Sequence, residues 1–586
     1  MGPLILLLAL SASALANVTP VVRVKQGRLQ GVQEPGAPGT APFFAFRGIP
    51  YAAKPVGVLR FKAPRPAPSW SGIRNASLEG SVCHQATFDG QLLGSEDCLY
   101  LNVYTPKLKC SSQLPVIVYF HSSAFIFGDG GRGWHGPDFI NYNDVVLVVP
   151  NYRLGPFGFL NLGTSGAPGN AALKDSQAVL RWVKENIKRF CGNPDKVTVA
   201  GHSAGATIAH VNAINARSKG LFQRAILMSG SALLGICYID EHIEAAQELA
   251  TILGAKDNST ATLERTLRSA SGSDINAAHL TMLMREPSPN LMFKFAMTSE
   301  IPAVSDADLP GSLFMSEDPE TMIRNADVKK PVPILAGTAK EEGDSLYGIG
   351  FVSKVIQAND TLFVERINSR IDEVIQRFAA RVPKGVAKQL GVQSGTGSLS
   401  RQQRILQMVR NAYAGGRSTF TREEYIKIIG DSLFDGPLLN YMRMCRGDVS
   451  LYVTDISTSY NFVSRGLIPM PALTTTTHAD DLGYLFRPSV VNLNQNYSDS
   501  SEAGQVLRYI STLITDFAKG RSVGLPATCG DPSLPYRLIN SGSPVVAENY
   551  GSGVSVWLDI FDLLRQGRRR VRVQGEGRRR TAEWDA

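Results

Sequence analysis

Gly201-His202-Ser203-Ala204-Gly205 is the stretch best equipped for chemistry in this 586-residue chain. It follows the apolar run Val197-Thr198-Val199-Ala200 and precedes small, helix-compatible residues from Ala206 onward. A serine flanked by glycine two residues on either side, between a strand and a helix, fits a sharp turn that lifts the hydroxyl to the top of a sheet. A Cβ at either glycine would collide with that turn. A serine hydroxyl is a weak nucleophile at neutral pH, so it needs a base to take its proton and a carboxylate to orient that base. In a strand–serine–helix architecture these follow in the order serine, acid, histidine.

The eight histidines are at 84, 121, 135, 202, 210, 242, 279 and 478. If the acid lies beyond residue 279, His478 is the base, and the other seven read as surface or structural residues. The acid is expected in Gly337-Thr338-Ala339-Lys340-Glu341-Glu342-Gly343, just after the apolar run Val332–Leu335, because catalytic groups of open parallel sheets gather at the carboxyl ends of strands. Chemistry alone leaves Glu341, Glu342 and Asp344 open. Asp480 and Asp481, so close in sequence to His478, are expected to point elsewhere. Acyl transfer also places negative charge on the carbonyl oxygen, which backbone amides stabilise. One is expected from Ala204, at the N-terminus of the helix after the serine. The others belong to the loop His121-Ser122-Ser123-Ala124-Phe125, after the run Val116–Phe120.

The elements that must position these groups are legible as alternating strands and helices. Val116–Phe120 and Val145–Val149 are short continuous apolar runs, which suit strands buried on both faces. Ala225–Met228, Val332–Leu335 and Leu451–Val453 read as further strands, and Val21–Val32 as a hairpin around Gln26-Gly27. Leu173, Leu180, Val183 and Ile187 share one helical face, as do Val506, Ile510, Leu513 and Phe517. The fold class is therefore α/β, a mostly parallel sheet covered by helices on both faces. Residues 255–330 and 355–425 are expected to form helical excursions above the sheet.

Composition narrows the function classes. Residues 1–16 read as a secretory signal, with the apolar run Leu4–Leu10 and the small-x-small site Ala14-Leu15-Ala16. No later segment is apolar for long enough to span a bilayer. In an exported chain the seven cysteines have access to pairing, and their odd number leaves at least one over within the chain. Asn17, Asn75, Asn258, Asn359 and Asn496 head glycosylation sequons, of which Asn17 is discounted for its closeness to the cleavage point. The formal charge is +9, but residues 565–586 carry eight arginines against three acids, so +5 sits in a basic tail that is expected to be disordered. The body holds only about +4, which excludes a basic nucleic-acid-binding surface as its main business. Residues 17–564 read as one domain, and nothing in the sequence sets an oligomeric state.

With those segments in order, the chain resembles the type-B carboxylesterase and cholinesterase family of α/β-hydrolases, from about Val21 to Leu564. The markers are Phe46-Arg47-Gly48-Ile49-Pro50-Tyr51-Ala52, Glu96-Asp97-Cys98-Leu99-Tyr100-Leu101-Asn102-Val103, Asn151-Tyr152-Arg153-Leu154-Gly155, Pro168-Gly169-Asn170, the Ser203 turn, Gly337–Gly343 and His478-Ala479-Asp480-Asp481-Leu482-Gly483-Tyr484-Leu485-Phe486. The turn and the His478 segment are most similar to arthropod esterases. The resemblance implies Ser203 as nucleophile, Glu342 as acid, His478 as base, and an oxyanion hole from Ser123, Ala124 and Ala204. It also implies a Cys83–Cys98 disulfide and a structural ion-pair network containing Arg47, Glu96 and Arg153. No metal or organic cofactor is implied.

The departures from the family pattern are local. Ser122, Ser123 and Ala124 stand where the family has a run of glycines. Glycine tolerates positive φ and close substrate approach, so the serines put efficiency at stake. Ala255 and Thr266 replace the next cysteine pair, Gly436 stands near one position of the last, and Cys191 replaces a usual glycine. The disulfide framework is therefore expected to be thinner. Asp175-Ser176 stands where the family has Asp-Gln. The Cys83–Cys98 loop has Phe88 but no Trp, which disfavours choline recognition. His202 stands where juvenile-hormone esterases have Gln. The expected function is a secreted hydrolase of small hydrophobic esters; the alternative is a non-catalytic adhesion or ligand-binding relative.

Overall fold

The structure, a computed structural model, describes residues 20–563 except 38–39, 88–89, 240–241, 285–293, 302–312, 327–330, 347–400, 468–472, 491–499, 541–543, 548 and 552–553. The signal, Asn17, Phe88, Asn359, Asn496 and the basic tail lie outside the described residues. Asn75 and Asn258 are both exposed.

An eleven-stranded sheet organises the chain. Across it run Val545–Ala547, Tyr536–Asn540, Val449–Asp455, Ile334–Ala339, Arg224–Met228, Gly192–His202, Leu114–Phe120, Val146–Pro150, Tyr100–Thr105, Phe43–Pro50 and Val32–Glu34. The strands from Tyr536–Asn540 through Val146–Pro150 are parallel; the remaining pairings are antiparallel. The expected α/β class is thus observed, and the apolar runs lie inside its central strands. The antiparallel strands Phe43–Pro50 and Tyr100–Thr105 are an addition to what the apolar runs indicated.

Period-two alternation explains why the central runs are apolar without interruption. Val116, Val118, Val197, Val199 and Leu227 face one buried cluster; Ile117, Tyr119, Ala200, Ile226 and Met228 face the other. Both faces are covered, so each strand residue is a core residue. One cover is the helix Ala171–Asn186. The other includes Glu502–Lys519, whose Val506, Ile510, Leu513 and Phe517 are buried as their spacing predicts. Within the two excursions the described segments include the helices Thr260–Ser269, Gly272–Met284 and Arg401–Ala414.

From Leu114–Phe120 the chain adds Val146–Pro150 on one side and then Gly192–His202 on the other. Connections leave the carboxyl ends of Leu114–Phe120 and Gly192–His202 in opposite directions, the first toward Val146–Pro150 and the second toward Arg224–Met228. That reversal opens a crevice there, the usual ligand site of an open parallel sheet.

One expectation is corrected. The disulfide framework is not thin: besides Cys83–Cys98 there are Cys110–Cys191 and Cys445–Cys529, so six of the seven cysteines are bridged, and the buried Cys237 lies outside them. Cys191, where the family pattern has glycine, takes left-handed backbone, with φ 63° at the end of a 3-10 turn. Arg47, Glu96 and Arg153 each form an ion pair, with partners the sequence did not name. They meet Glu34, Arg60 and Asp175 respectively, and the Arg153–Asp175 pair is bidentate and buried. At Gly436, near one position of the family's last pair, an added Cβ would meet the Asp431 carbonyl oxygen at 2.8 Å and the Trp557 Cβ at 2.9 Å.

Candidate active site

Strand Gly192–His202 ends at Ser203, and the helix Ala204–Ile214 begins immediately after it. Ser203 has φ 55° and ψ −120°, outside the ordinary regions for a side-chain-bearing residue. The flanking glycines make this possible. A Cβ on Gly201 would sit 2.2 Å from the Gly205 carbonyl carbon, and one on Gly205 would sit 2.0 Å from the Phe120 oxygen. The same contact presses the turn against the loop after the neighbouring strand. Ser203 N–H donates to the Met228 carbonyl at 2.8 Å, anchoring the turn to the next strand.

Glu342 follows strand Ile334–Ala339. Glu341 N–H donates to the Thr476 carbonyl at 3.0 Å, and Glu341 bridges Thr477 as a parallel β-pair. This bridge brings the next residue on each chain, Glu342 and His478, face to face. His478 Nδ1 lies 2.6 Å from Glu342 Oε2. Glu342 Oε1 accepts from Thr338 Oγ1 at 2.7 Å and from the Ala339 amide at 2.8 Å. Burial alone would raise this carboxyl, but the His478 imidazole, and after it the Ala339 amide, outweigh burial and hold its pKa below the usual value. Of the three acids left open by the sequence, Glu342 is the one hydrogen-bonded to His478; Glu341 and Asp344 lie partly exposed.

The imidazole is clamped between rings. His202 lies 4.5 Å from it, centroid to centroid, and Phe434 lies 4.4 Å away. His202 is the residue before Ser203, so the turn that carries the hydroxyl also packs the histidine. Burial, and then the neighbouring His478 and His135, hold the His202 imidazole well below its ordinary pKa, so it stays neutral. Asp480 does point elsewhere. It accepts from the Val463, Ser464 and Thr477 amides, the Ser464 hydroxyl and Asn461 Nδ2, fixing the loop that holds His478. Asp481 is buried, and its carboxyl is pushed up to about 7 by burial, Glu342 and Asp480.

The loop after Leu114–Phe120 has an unusual backbone. Ser123, Ala124 and Phe125 have φ of 82°, 57° and 64°, whereas Ser122 has no positive φ. The amides of Ser123, Ala124 and Ala204 have no hydrogen-bond acceptor among the described residues. Ile126 N–H caps the loop by donating to the Ser123 carbonyl at 2.9 Å. Tyr152 hydroxyl donates to the His121 carbonyl at 2.8 Å and its ring stacks on His121 at 4.3 Å. His84, His121, His135, His210 and His279 sit in packed surroundings rather than on open surface, the last four fully buried and pushed to low pKa by desolvation. No group of His, Cys, Asp and Glu with metal-ligand geometry is found among the described residues.

Sequence reasoning missed Thr338, Phe434 and Asp435 around the acid–base pair. Thr338 stands in the quoted Gly337–Gly343 segment and was legible as a neighbour; Phe434 and Asp435 arrive from a distant helix with no local signal.

A family model described as the carboxylesterase family matches residues 18–529. The juvenile hormone esterase of Heliothis virescens is 34% identical over 59% of this chain and 62% of its own length. Esterase FE4 of Myzus persicae is 36% identical over 56% of each. The chain thus spans less than two thirds of these two relatives. Juvenile hormone esterase of Manduca sexta, solved with OTFP covalently attached, superposes with a TM-score of 0.76 at 25% identity, covering 93% of this chain and 99% of that one.

Proposed function

From the premise that this chain belongs to the carboxylesterase family, we propose that it hydrolyses carboxylic esters through a covalent acyl-enzyme on Ser203. The observation that carries this reading is the 2.6 Å His478–Glu342 pair, with the His478 ring packed on the residue before Ser203. With Nδ1 donating to the carboxylate, Nε2 is left as the base. It takes the Ser203 proton as the hydroxyl attacks the ester carbonyl, and Glu342 stabilises the imidazolium that forms. The amides of Ser123, Ala124 and Ala204 receive the charge on the carbonyl oxygen. The imidazolium then protonates the departing alcohol. A water deprotonated by the same nitrogen releases the acid and restores Ser203.

Hydrophobic small-molecule esters fit this reading, because the family resemblance supplies the reaction and the Cys83–Cys98 loop offers no Trp for a cationic alcohol. Export fits the three disulfides, which persist in oxidising compartments. No helix among the described residues is long and apolar enough to cross a membrane.

The test is hydrolysis of a nitrophenyl ester by the wild type and by Ser203→Ala. The substitution is expected to lower kcat by about 10^4-fold or more. Wild-type protein with a cooperative melt, no turnover, and no mass adduct on Ser203 after fluorophosphonate treatment would return the chain to the non-catalytic alternative.

A further inference from the structure

Behind the acid–base pair lies a second carboxyl group that the proposed mechanism does not use. Asp435 ends a π-helical turn, Asp431–Asp435, a distortion often found at functional sites. Its Oδ1 lies 3.1 Å from Thr338 Oγ1 and receives the Tyr550 hydroxyl at 2.6 Å. Thr338 has one hydroxyl hydrogen, and the shorter of its two contacts, 2.7 Å, goes to Glu342 Oε1. With that hydrogen committed to Glu342, the Asp435–Thr338 contact needs a hydrogen from Asp435 itself; two lone pairs facing one another would repel. Counting hydrogens therefore puts a proton on Asp435. The result is a chain in one direction, from Tyr550 O–H to Asp435 O–H to Thr338 O–H to the Glu342 carboxylate. Hydrogen bonds aligned this way polarise and strengthen one another.

We propose that Asp435 is a positioning residue for the Glu342–His478 pair, donating as a neutral carboxylic acid through Thr338 to hold Glu342 turned toward the imidazole. This rests on the ester-hydrolase reading above and deepens it. The surrounding charges favour the neutral form. Asp431 shares its turn and Glu342 faces it across Thr338; burial and these two carboxyls raise its pKa well above the ordinary value. Tyr413 and Lys427 also act on this cluster, through Asp431, and Tyr550 closes it from the C-terminal segment. Tyr550 lies beyond the residues the family model matches, so the far end of the chain comes from outside that segment.

The experiment compares Asp435→Asn, which keeps a donor toward Thr338, with Asp435→Leu, which keeps the branched shape, though not the volume, and loses the donor. Melting is monitored for each, and fluorophosphonate inactivation and ester turnover are followed against pH. The asparagine variant is expected to keep kcat within about threefold, with the acid limb of its pH profile in place, because no charge has been removed. The leucine variant is expected to lose roughly tenfold in kcat with KM unchanged, because the carboxylate is less well aimed. An acid limb that moves down in Asp435→Asn overturns the proposal. An ionised Asp435 favours the imidazolium, so removing its charge lowers the pKa of the base. Full kcat in a folded Asp435→Leu overturns it as well. If the leucine variant does not fold, Thr338→Val decides. A roughly tenfold loss restored in Thr338→Ser supports the chain, and no loss overturns it. A wild type that neither turns over esters nor labels on Ser203 fails the hydrolase reading itself, so the two failures are distinct.

Discussion

Two turns at the carboxyl ends of neighbouring strands hold the proposed nucleophile and the proposed oxyanion donors, and they are built by opposite means. At Ser203 the strain falls on one residue, and glycines on both sides remove the atoms that would collide. At Ser123–Phe125 three consecutive residues with side chains take left-handed backbone, with no glycine until Gly128. Each such residue costs roughly 1–2 kcal/mol. Packing must hold it: Phe125 is fully buried with its ring 4.5 Å from Phe159, and its carbonyl accepts from Gly155 at 2.8 Å. One turn is shaped by absence of atoms, the other by their confinement. Substitutions that add atoms should damage the first, and those that remove packing should damage the second.

The largest effect is expected at the first turn. Gly205→Ala places a methyl 2.0 Å from the Phe120 oxygen, where backbone on both sides must move. A loss of about 3 kcal/mol or more is expected in a denaturant melt, together with loss of fluorophosphonate labelling. A normal midpoint with normal labelling would mean that the glycine is not sterically required. Next is Phe125→Ala, with an expected cost of about 3–5 kcal/mol from the lost burial and the cavity. Ester turnover by the folded fraction is expected to fall about 10^2-fold as the Ser123 and Ala124 amides lose their aim. Turnover that stays at the wild-type rate would uncouple the packing from the donors.

Two buried groups around the site, one on the Ser123–Phe125 loop and one on the His478 segment, should answer pH in opposite directions. His121, at the start of the loop, is pushed by burial to a pKa of about 4. Unfolded, it titrates near 6.5, so the unfolded chain binds the extra proton between those values and stability falls as pH drops from about 6.5 to 4. Asp481, packed near Glu342, is raised from 3.8 to about 7. The folded chain therefore holds its proton longer, and this contribution to stability is lost as pH rises from about 4 to 7. Melting temperature against pH should show it. His121→Gln flattens the acid side, and Asp481→Asn raises the melting point at pH 8 relative to wild type while changing it least near pH 4. Parallel curves for all three proteins would remove these groups from the pH response.

How far the sequence reaches differs between the two turns as well. Strands buried on both faces carry few polar residues, so Val116–Phe120 and, despite Thr198, Val197–Ala200 were readable from composition alone. Gly201 and Gly205 were readable because a steric demand leaves a residue type behind. The choice among Glu341, Glu342 and Asp344 was not, since it depends on the Glu341–Thr477 bridge, a register between segments more than 130 residues apart. The pairings Cys110–Cys191 and Cys445–Cys529 span 81 and 84 residues and leave no local pattern either. The loop gave its residue types but not its dihedrals. Ser122 and Ser123 both replace glycine in the family pattern, and only the second carries the conformational burden.

That last difference yields the smallest and sharpest test. Ser123→Gly relieves a left-handed side chain, worth roughly 1–2 kcal/mol, against roughly 0.4–1 kcal/mol of added unfolded-chain entropy. A net gain of up to about 1.6 kcal/mol is expected. Ser122→Gly incurs the entropy without the relief, so a loss of about 0.5–1 kcal/mol is expected from a neighbouring, chemically identical change. Denaturant midpoints of the two variants should move in opposite directions. Midpoints moving the same way would mean that neither serine is strained as the backbone indicates. If Ser123→Gly is also no faster toward esters, then Phe125 packing rather than the residue type at 123 aims the amides, and the chain has replaced the flexibility of glycine with confinement without losing the geometry.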